Sequence, residues 1–207
     1  GFVLPHAGTK YTGKIISHTL RFKPSKKFTK VIILYYPVSK SPNVQDKYYH
    51  EYYVPMKCIK HFINNSWNIN RRISFLGINV GKESIPYLDQ ASTLYIVSTD
   101  FSHFLPLQSA IELENKAAHS VMFRQLSRSS YIDIIDHPIS FKTLYSIIPD
   151  SWNLQWIGRS RSPGKEGVGY LSFLLKSTFR QPVKLPDGIF VTVYDKQMNA
   201  RECLGEW

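Results

Sequence analysis

The stretch TLYIVSTDFSH, from Thr93 to His103, decides the fold of this chain. Its first part, Thr93 to Val97, is a continuous apolar run of strand length, which is typical of a strand that is buried on both faces. The run passes directly into a polar cluster that holds a carboxylate, hydroxyls and an imidazole within six residues. In α/β sheets, functional side chains gather in the loops at the carboxyl ends of the strands. The segment therefore predicts both a buried strand and a candidate site.

Strand-like and helix-like runs alternate along the rest of the chain. Apolar strands are predicted at Phe2 to Leu4, Val31 to Tyr36, Ile73 to Val80, around Trp156, and at Tyr170 to Leu175. Apolar residues at helical intervals predict helices at Tyr11 to Phe22, Lys47 to Phe62, Leu107 to Leu126 and Ile139 to Ile148. This alternation predicts an α/β fold with a mainly parallel or mixed central sheet flanked by helices.

The composition excludes several classes of protein. With 207 residues the chain is long enough to bury a core, and 43% hydrophobic residues exclude disorder. Two cysteines are too few for a disulfide framework. No apolar run reaches the roughly 18 to 20 residues of a membrane span, and the N-terminal residues lack the pattern of a signal peptide. We therefore expect an intracellular protein without a membrane span, in a compartment that the sequence does not identify.

The charge balance favours a polyanionic partner. The chain has 26 lysines and arginines against 15 acidic residues, which gives a net charge of +11. The basic residues cluster at Arg21 to Lys30, at Arg71 and Arg72, at Arg124 and Arg128, and at Arg159 to Lys165. Such an excess suits RNA, an acidic protein surface or anionic lipid. Solvated loop charge without a specific ligand is the alternative, because no nucleic-acid-binding motif accompanies the clusters.

Two loops carry the candidate site residues. The loop PHAG, residues 5–8, follows the first strand and contains His6, and the polar cluster of the opening stretch contains Asp100 and His103. An imidazole beside a carboxylate can act as a general base or as a metal ligand, provided that the two loops converge. The alternative is that both histidines only cap an element or satisfy the core.

Four motifs resemble the Memo family and occur in that family's order. They are LPHAGTKYTG at Leu4 to Gly13, VSTDFSHF at Val97 to Phe104, DHPISFKTLYSI at Asp136 to Ile147, and EGVGYLSFLL at Glu166 to Leu175. The corresponding family motifs are PHAGY with a YSG step, SSDFSHY, CGRHPI and SSVSYA. The resemblance covers Phe2 to about Lys176. It implies a fold similar to class III extradiol dioxygenases, with a cleft between the histidine-bearing loops.

The resemblance also implies a metal site, most of whose ligands this chain lacks. Family members that bind copper or iron use a histidine of PHAG, a histidine after the second strand and the cysteine of CGRHPI. His6 matches the first ligand, whereas the second has no counterpart and Ile134 stands at the cysteine position. The family segment HSIEMHLPF is similar to YYHEYYVPM here, which keeps Glu51 but has Tyr48 and Tyr53 in place of the histidines. Near neutral pH, tyrosine is a poor substitute for a neutral imidazole.

Two functions follow as hypotheses. The lost ligands and the positive charge favour a Memo-like protein that has lost catalysis, needs no cofactor, and acts as a binding or structural subunit of a larger complex. Its basic surface would contact RNA or an acidic protein. The alternative is a redox or dioxygenase-like enzyme that depends on iron or copper and uses His6 and His103, with Glu51 and Asp100 as further candidates.

The C-terminal residues predict a separate extension. In this interpretation residues 1–176 form the Memo-like α/β domain and residues 177–207 follow it. Gly188 to Trp207 resembles the strand core of the AMMECR-type domain, which in microbial proteins can follow a Memo domain. An isolated strand pair cannot bury a core of its own. The segment is therefore a remnant of such a domain or, alternatively, a plain hairpin that packs on the sheet.

Overall fold

The computed structural model describes residues 1–24, 27–35, 59–67, 73–80, 92–126 and 132–177, together with the backbone of 190–194 and 200–206. The strands in these ranges are β1 Phe2–Leu4, β2 Lys30–Tyr35, β3 Ser74–Asn79, β4 Thr93–Ser98, β5 Leu105–Pro106, β6 Trp152–Arg161, β7 Glu166–Gly167, β8 Gly169–Ser177, β9 Phe190–Tyr194 and β10 Ala200–Glu206. The α-helices are α1 Thr9–Thr19, α2 Ile59–Trp67, α3 Leu107–Met122 and α4 Pro138–Ile147, and a 3-10 helix spans Ile132–Ile134.

Six strands form one mixed sheet in the order β3-β2-β4-β1-β8-β6. The first four strands in this order are parallel to one another. In the chain, α1 lies between β1 and β2, and α2 lies between β2 and β3, as the crossover between parallel strands requires. β8 pairs antiparallel with both β1 and β6. The predicted α/β fold with a mixed central sheet flanked by helices is therefore confirmed. The more specific similarity to class III extradiol dioxygenases remains a prediction.

Helices cover both faces of the sheet. Successive side chains of a strand point to opposite faces, so the continuous apolar run of β2 contributes to two separate cores. Val31 and Ile33 belong to the core that includes residues of α1 and α2. Ile32 and Leu34 belong to the core that includes residues of α3 and α4. This double burial explains why the strand lacks the polar alternation of a half-exposed strand.

Several element boundaries differ from the predictions. Helix α3 ends at Met122 and not at Leu126, because Arg124 adopts a φ of 58°, in the left-handed region, which breaks the helical path. The guanidinium of Arg124 donates hydrogen bonds to the carbonyl oxygens of Pro149 and Trp152, which fixes this turn. Of the helix predicted at Lys47 to Phe62, the structure describes only the part that belongs to α2.

The C-terminal strands form a sheet of their own. β9 and β10 pair antiparallel and make up a two-stranded sheet. The assignment of this pair to an AMMECR-type remnant, and the domain boundary at residue 176, remain predictions. No helix in the described ranges is long and apolar enough to cross a membrane.

Candidate functional site

The parallel pairing of β1 and β4 places two of the predicted site residues side by side. The register sets Leu4 opposite Ser98, so His6 and Asp100 each lie two residues beyond a paired strand end. The backbone N–H of His6 donates a hydrogen bond of 2.9 Å to Oδ1 of Asp100. The Nδ1 atom of His6 lies 3.2 Å from Oγ of Ser98. The PHAG loop and the polar cluster after β4 therefore meet at the carboxyl end of the sheet.

Asp136 joins the two predicted histidines. One of its carboxylate oxygens lies 3.4 Å from Nε2 of His6, and the other lies 3.2 Å from Nδ1 of His103. The backbone N–H of Asp136 donates a hydrogen bond of 3.2 Å to the carbonyl oxygen of Asp100, which holds the two loops together. The ring of His137 stacks on that of His6, with 5.8 Å between centroids. The structure thus brings His6, Asp100 and His103 together, whereas Glu51 lies outside the described residues.

Sequence reasoning missed Asp136 and His137 as site residues. The segment that contains them resembles the family's CGRHPI motif, at the start of helix α4, but the sequence predicts no ligand or catalytic role for Asp136 or His137. The available signal was an adjacent carboxylate and imidazole directly before that helix. Their distance of more than thirty residues from the polar cluster hid the contact, because residues so far apart along the chain meet only through packing.

The carboxylates and the burial of the site set opposite protonation states for two of the histidines. Burial acts to lower the pKa of His6, but the carboxylates of Asp100 and Asp136 outweigh burial and raise that pKa to about 9. Burial lowers the pKa of His137 to about 4. Burial raises the pKa of Asp100. Burial also acts to raise the pKa of Asp136, but the hydrogen bond to His6 and the nearby His103 outweigh burial and keep the pKa of Asp136 below its ordinary value. Without a metal, His6 is therefore an imidazolium at neutral pH, beside the side chains of Asp100 and Asp136.

The stability of the metal-free protein should fall at alkaline pH. Because the pKa of His6 is raised from about 6.5 to about 9, its stabilising contribution is complete below about pH 6.5 and is lost as the pH rises through 9. With EDTA present, urea titrations should show the free energy of unfolding fall by about 1 to 3 kcal/mol across this window. His6→Gln should flatten the profile, while His18→Gln, which changes an exposed imidazole of α1, should not. Parallel profiles for the wild type and His6→Gln would contradict this account.

A cavity of about 480 Å³ opens directly in front of these groups. The walls combine the site carboxylates and imidazoles with the aromatic side chains of Tyr11, Phe104 and Tyr170. Phe104 is 69% exposed and has a φ of 53°, in the left-handed region that side chains rarely adopt. Backbone strain of this kind is concentrated at functional sites. The cavity is large enough for a small organic molecule next to the acidic and imidazole groups.

A buried ion pair supports the loop that carries Asp100 and His103. The hydroxyl of Ser102 donates a hydrogen bond to Oε1 of Glu114, and Nη2 of Arg159 lies 2.5 Å from the other oxygen of that carboxylate. The N–H of Gly169 donates to the carbonyl oxygen of Ser102 at 2.8 Å, which ties the same loop to β8. Charged side chains on α3 and β6 therefore hold the loop from beneath.

This ion pair corrects one sequence-based prediction. Arg159 belongs to one of the basic clusters that the sequence predicts to contribute to a surface for a polyanion. Its side chain is only 1% exposed and contacts Glu114, whose side chain is fully buried. Arg159 is therefore a structural residue inside the fold, and a polyanionic partner cannot reach it.

The positions of the donor atoms would allow a metal ion to bind. Two groups of side chains each place three potential ligand atoms within 4.8 Å of one another, namely His6 with Asp136 and His137, and Asp100 with His103 and Asp136. Asp136 belongs to both groups. Ligand atoms about 2 Å from a common ion are separated by at most about 4 Å, so small adjustments would bring either group into coordination distance.

Neither a comparison with models of known protein families nor a search of curated proteins gives a match for this chain. The resemblance to the Memo family therefore rests on its four sequence motifs.

Proposed function

We propose that this chain is a metal-binding protein of Memo type, in which iron or copper in the cleft supports redox chemistry on a small molecule. The observation that carries the proposal is the position of Asp136, whose two carboxylate oxygens lie 3.4 Å and 3.2 Å from imidazole nitrogens of His6 and His103. A carboxylate that lies between two imidazoles at the mouth of a cavity can form ion pairs with them, and the same three groups can also bind a metal ion.

The chemistry of the donors favours iron over copper. Imidazoles with carboxylates, and no described thiolate among them, match the two-histidine, one-carboxylate type of site that binds iron(II). A bound ion would supply one-electron chemistry and an open position for a substrate. The chain's own residues would orient that substrate against Tyr11 and Phe104, which line the same cavity.

The motif resemblance supports the location but not the full ligand set. His6 stands at a family ligand position, whereas Ile134 stands where the family has a cysteine. Asp136, two residues after Ile134, offers a carboxylate at the same cleft. The proposed site thus differs from the family pattern in two ways: the histidine after the second strand has no counterpart, and an oxygen donor takes the place of sulfur. The loss of the sulfur donor lowers the expected preference for copper(I).

Metal binding can be tested with one isosteric substitution. We expect the EDTA-treated chain to take up about one iron(II) per molecule, measured by elemental analysis after anaerobic reconstitution and desalting. Asp136→Asn should weaken iron(II) binding at least about tenfold in a competitive chelator titration, because an amide is a poorer ligand than a carboxylate. Asp133→Asn, which changes an exposed carboxylate of the same segment, is the matched control and should bind like the wild type. A wild-type chain that retains no metal, or equal binding by both variants, would refute the proposal.

A second candidate function is the binding subunit favoured by the sequence alone. The specific observation in its favour is a groove lined by lysines at the other end of the sheet. A protein of net charge +11 that presents exposed lysines in a concave surface is suited to an anionic partner. The two functions use different surfaces, so they do not exclude each other.

A further inference from the structure

A groove of about 600 Å³ lies at the end of the sheet opposite to the histidine cleft. Its floor is formed where the parallel strands begin, at Phe2 of β1 and Thr93 of β4, and where antiparallel β8 ends, at Lys176 and Ser177. One wall is formed by the segment that follows α1, and another by Trp152 at the start of β6. The volume falls within the range of small-ligand sites, about 300 to 1,000 Å³.

The groove combines positive charge with accessible aromatic rings. Lys23, Lys27 and Lys176 are exposed along it, and the described residues of its lining include no aspartate or glutamate. Phe22 is 44% exposed at its edge, and Trp152 is half-buried in its wall. The cleft at the other end of the sheet has the opposite character, since carboxylates line it and, among the residues that the structure describes there, neither lysine nor arginine does.

We infer that this groove binds single-stranded RNA. Lysine side chains neutralise phosphates irrespective of sequence, and exposed aromatic rings stack on bases, which together form the usual basis of single-strand recognition. An acidic protein would use the lysines but would gain less from Phe22 and Trp152, so the observations favour the nucleic acid. The inference rests on the second proposed function, the binding subunit, and adds to it the kind of partner and the surface that binds it. It is independent of the metal proposal.

The charge contribution can be tested by fluorescence anisotropy with a fluorescein-labelled oligouridine RNA of about ten nucleotides. If three lysines contact phosphates, the slope of the logarithm of the RNA association constant against the logarithm of the salt concentration should be about −2. Lys23→Glu with Lys27→Glu should weaken binding at least about tenfold and reduce the slope to about −0.7. Lys10→Glu with Lys14→Glu alters two exposed lysines of α1 by the same net charge and should leave the slope unchanged.

The stacking contribution can be tested in the same assay. Phe22→Ala should weaken RNA binding about fivefold or more without a change in the salt slope, because it removes a stacking surface and no charge. Failure of the wild-type chain to bind the RNA would overturn both the inference and the RNA-binding function. If the two double variants weaken RNA binding equally, this result would overturn only the placement of the RNA in this groove.

Discussion

Replacing Gly169 with alanine should lower the free energy of unfolding by about 2 to 4 kcal/mol. A Cβ atom at this position would lie 1.8 Å from Oε1 of Glu114 and 2.7 Å from Oγ of Ser102. Both distances are far below van der Waals contact, so the side chains or the strand must move. Neither side chain can move easily, because Glu114 is held by its buried contact with Arg159 and the hydroxyl of Ser102 is held by its hydrogen bond to Glu114.

Urea denaturation followed by circular dichroism measures this effect. For a chain of this size, 2 to 4 kcal/mol corresponds to a fall in melting temperature of roughly 5 to 15 °C. Gly8→Ala is the matched control, since a Cβ atom there meets nothing within 4 Å and the backbone φ of −53° suits alanine. Equal stability of the Gly169 and Gly8 variants would show that the carboxylate of Glu114 is not confined as described.

Arg159→Met should be more destabilising still, by about 3 to 5 kcal/mol near neutral pH. The substitution removes the cation that lies 2.5 Å from Oε2 of Glu114 and leaves a carboxylate alone inside the fold. Combining it with Glu114→Gln should recover much of the loss, because the amide carries no charge and still offers Ser102 an acceptor. Lys116→Met breaks an exposed pair with Glu112 on the same helix and should leave stability unchanged within error.

The loss of folding stability in Arg159→Met should be larger at higher pH. Burial already raises the pKa of Glu114, whereas Arg159 acts to lower it, so removal of the arginine raises that pKa further. A folded-state pKa above the unfolded value gives stability that is complete at acidic pH and is lost as the pH rises. The deficit measured by urea titration should thus be smaller at about pH 5 than at about pH 7.5. Equal deficits at both pH values, with no rescue in the double variant, would count against a buried charge as the cause.

The main layers of the fold could be predicted because their signals are local. The apolar runs at Val31 to Tyr36 and Thr93 to Val97 became β2 and β4, since a strand buried on both faces must be apolar along its whole length. The helix predicted at Ile139 to Ile148 spans Pro138–Ile147, and it begins at the proline because proline suits the first turn of a helix. Each of these features depends on residues that are neighbours in the sequence.

The candidate site could be predicted only in part. His6, Asp100 and His103 were recognisable because they follow strands, and functional loops lie at strand ends. Asp136 could not be placed with them, because its contacts with His6 and His103 depend on how the segment before α4 packs against the strand ends.

The sequence by itself determined the class of the fold, the strands and helices that build it, and the loops that carry imidazoles and a carboxylate. Only the tertiary structure decided that Asp136 lies between two histidines, that Arg159 is buried against Glu114, and that lysines and aromatic rings share a groove at the other end of the sheet. Hydrophobic periodicity and turn preferences act over a few residues, and so they can be recognised from short stretches of the sequence. The burial of a charge, or a contact between loops far apart in the chain, depends on how the assembled layers exclude water and bring distant segments together.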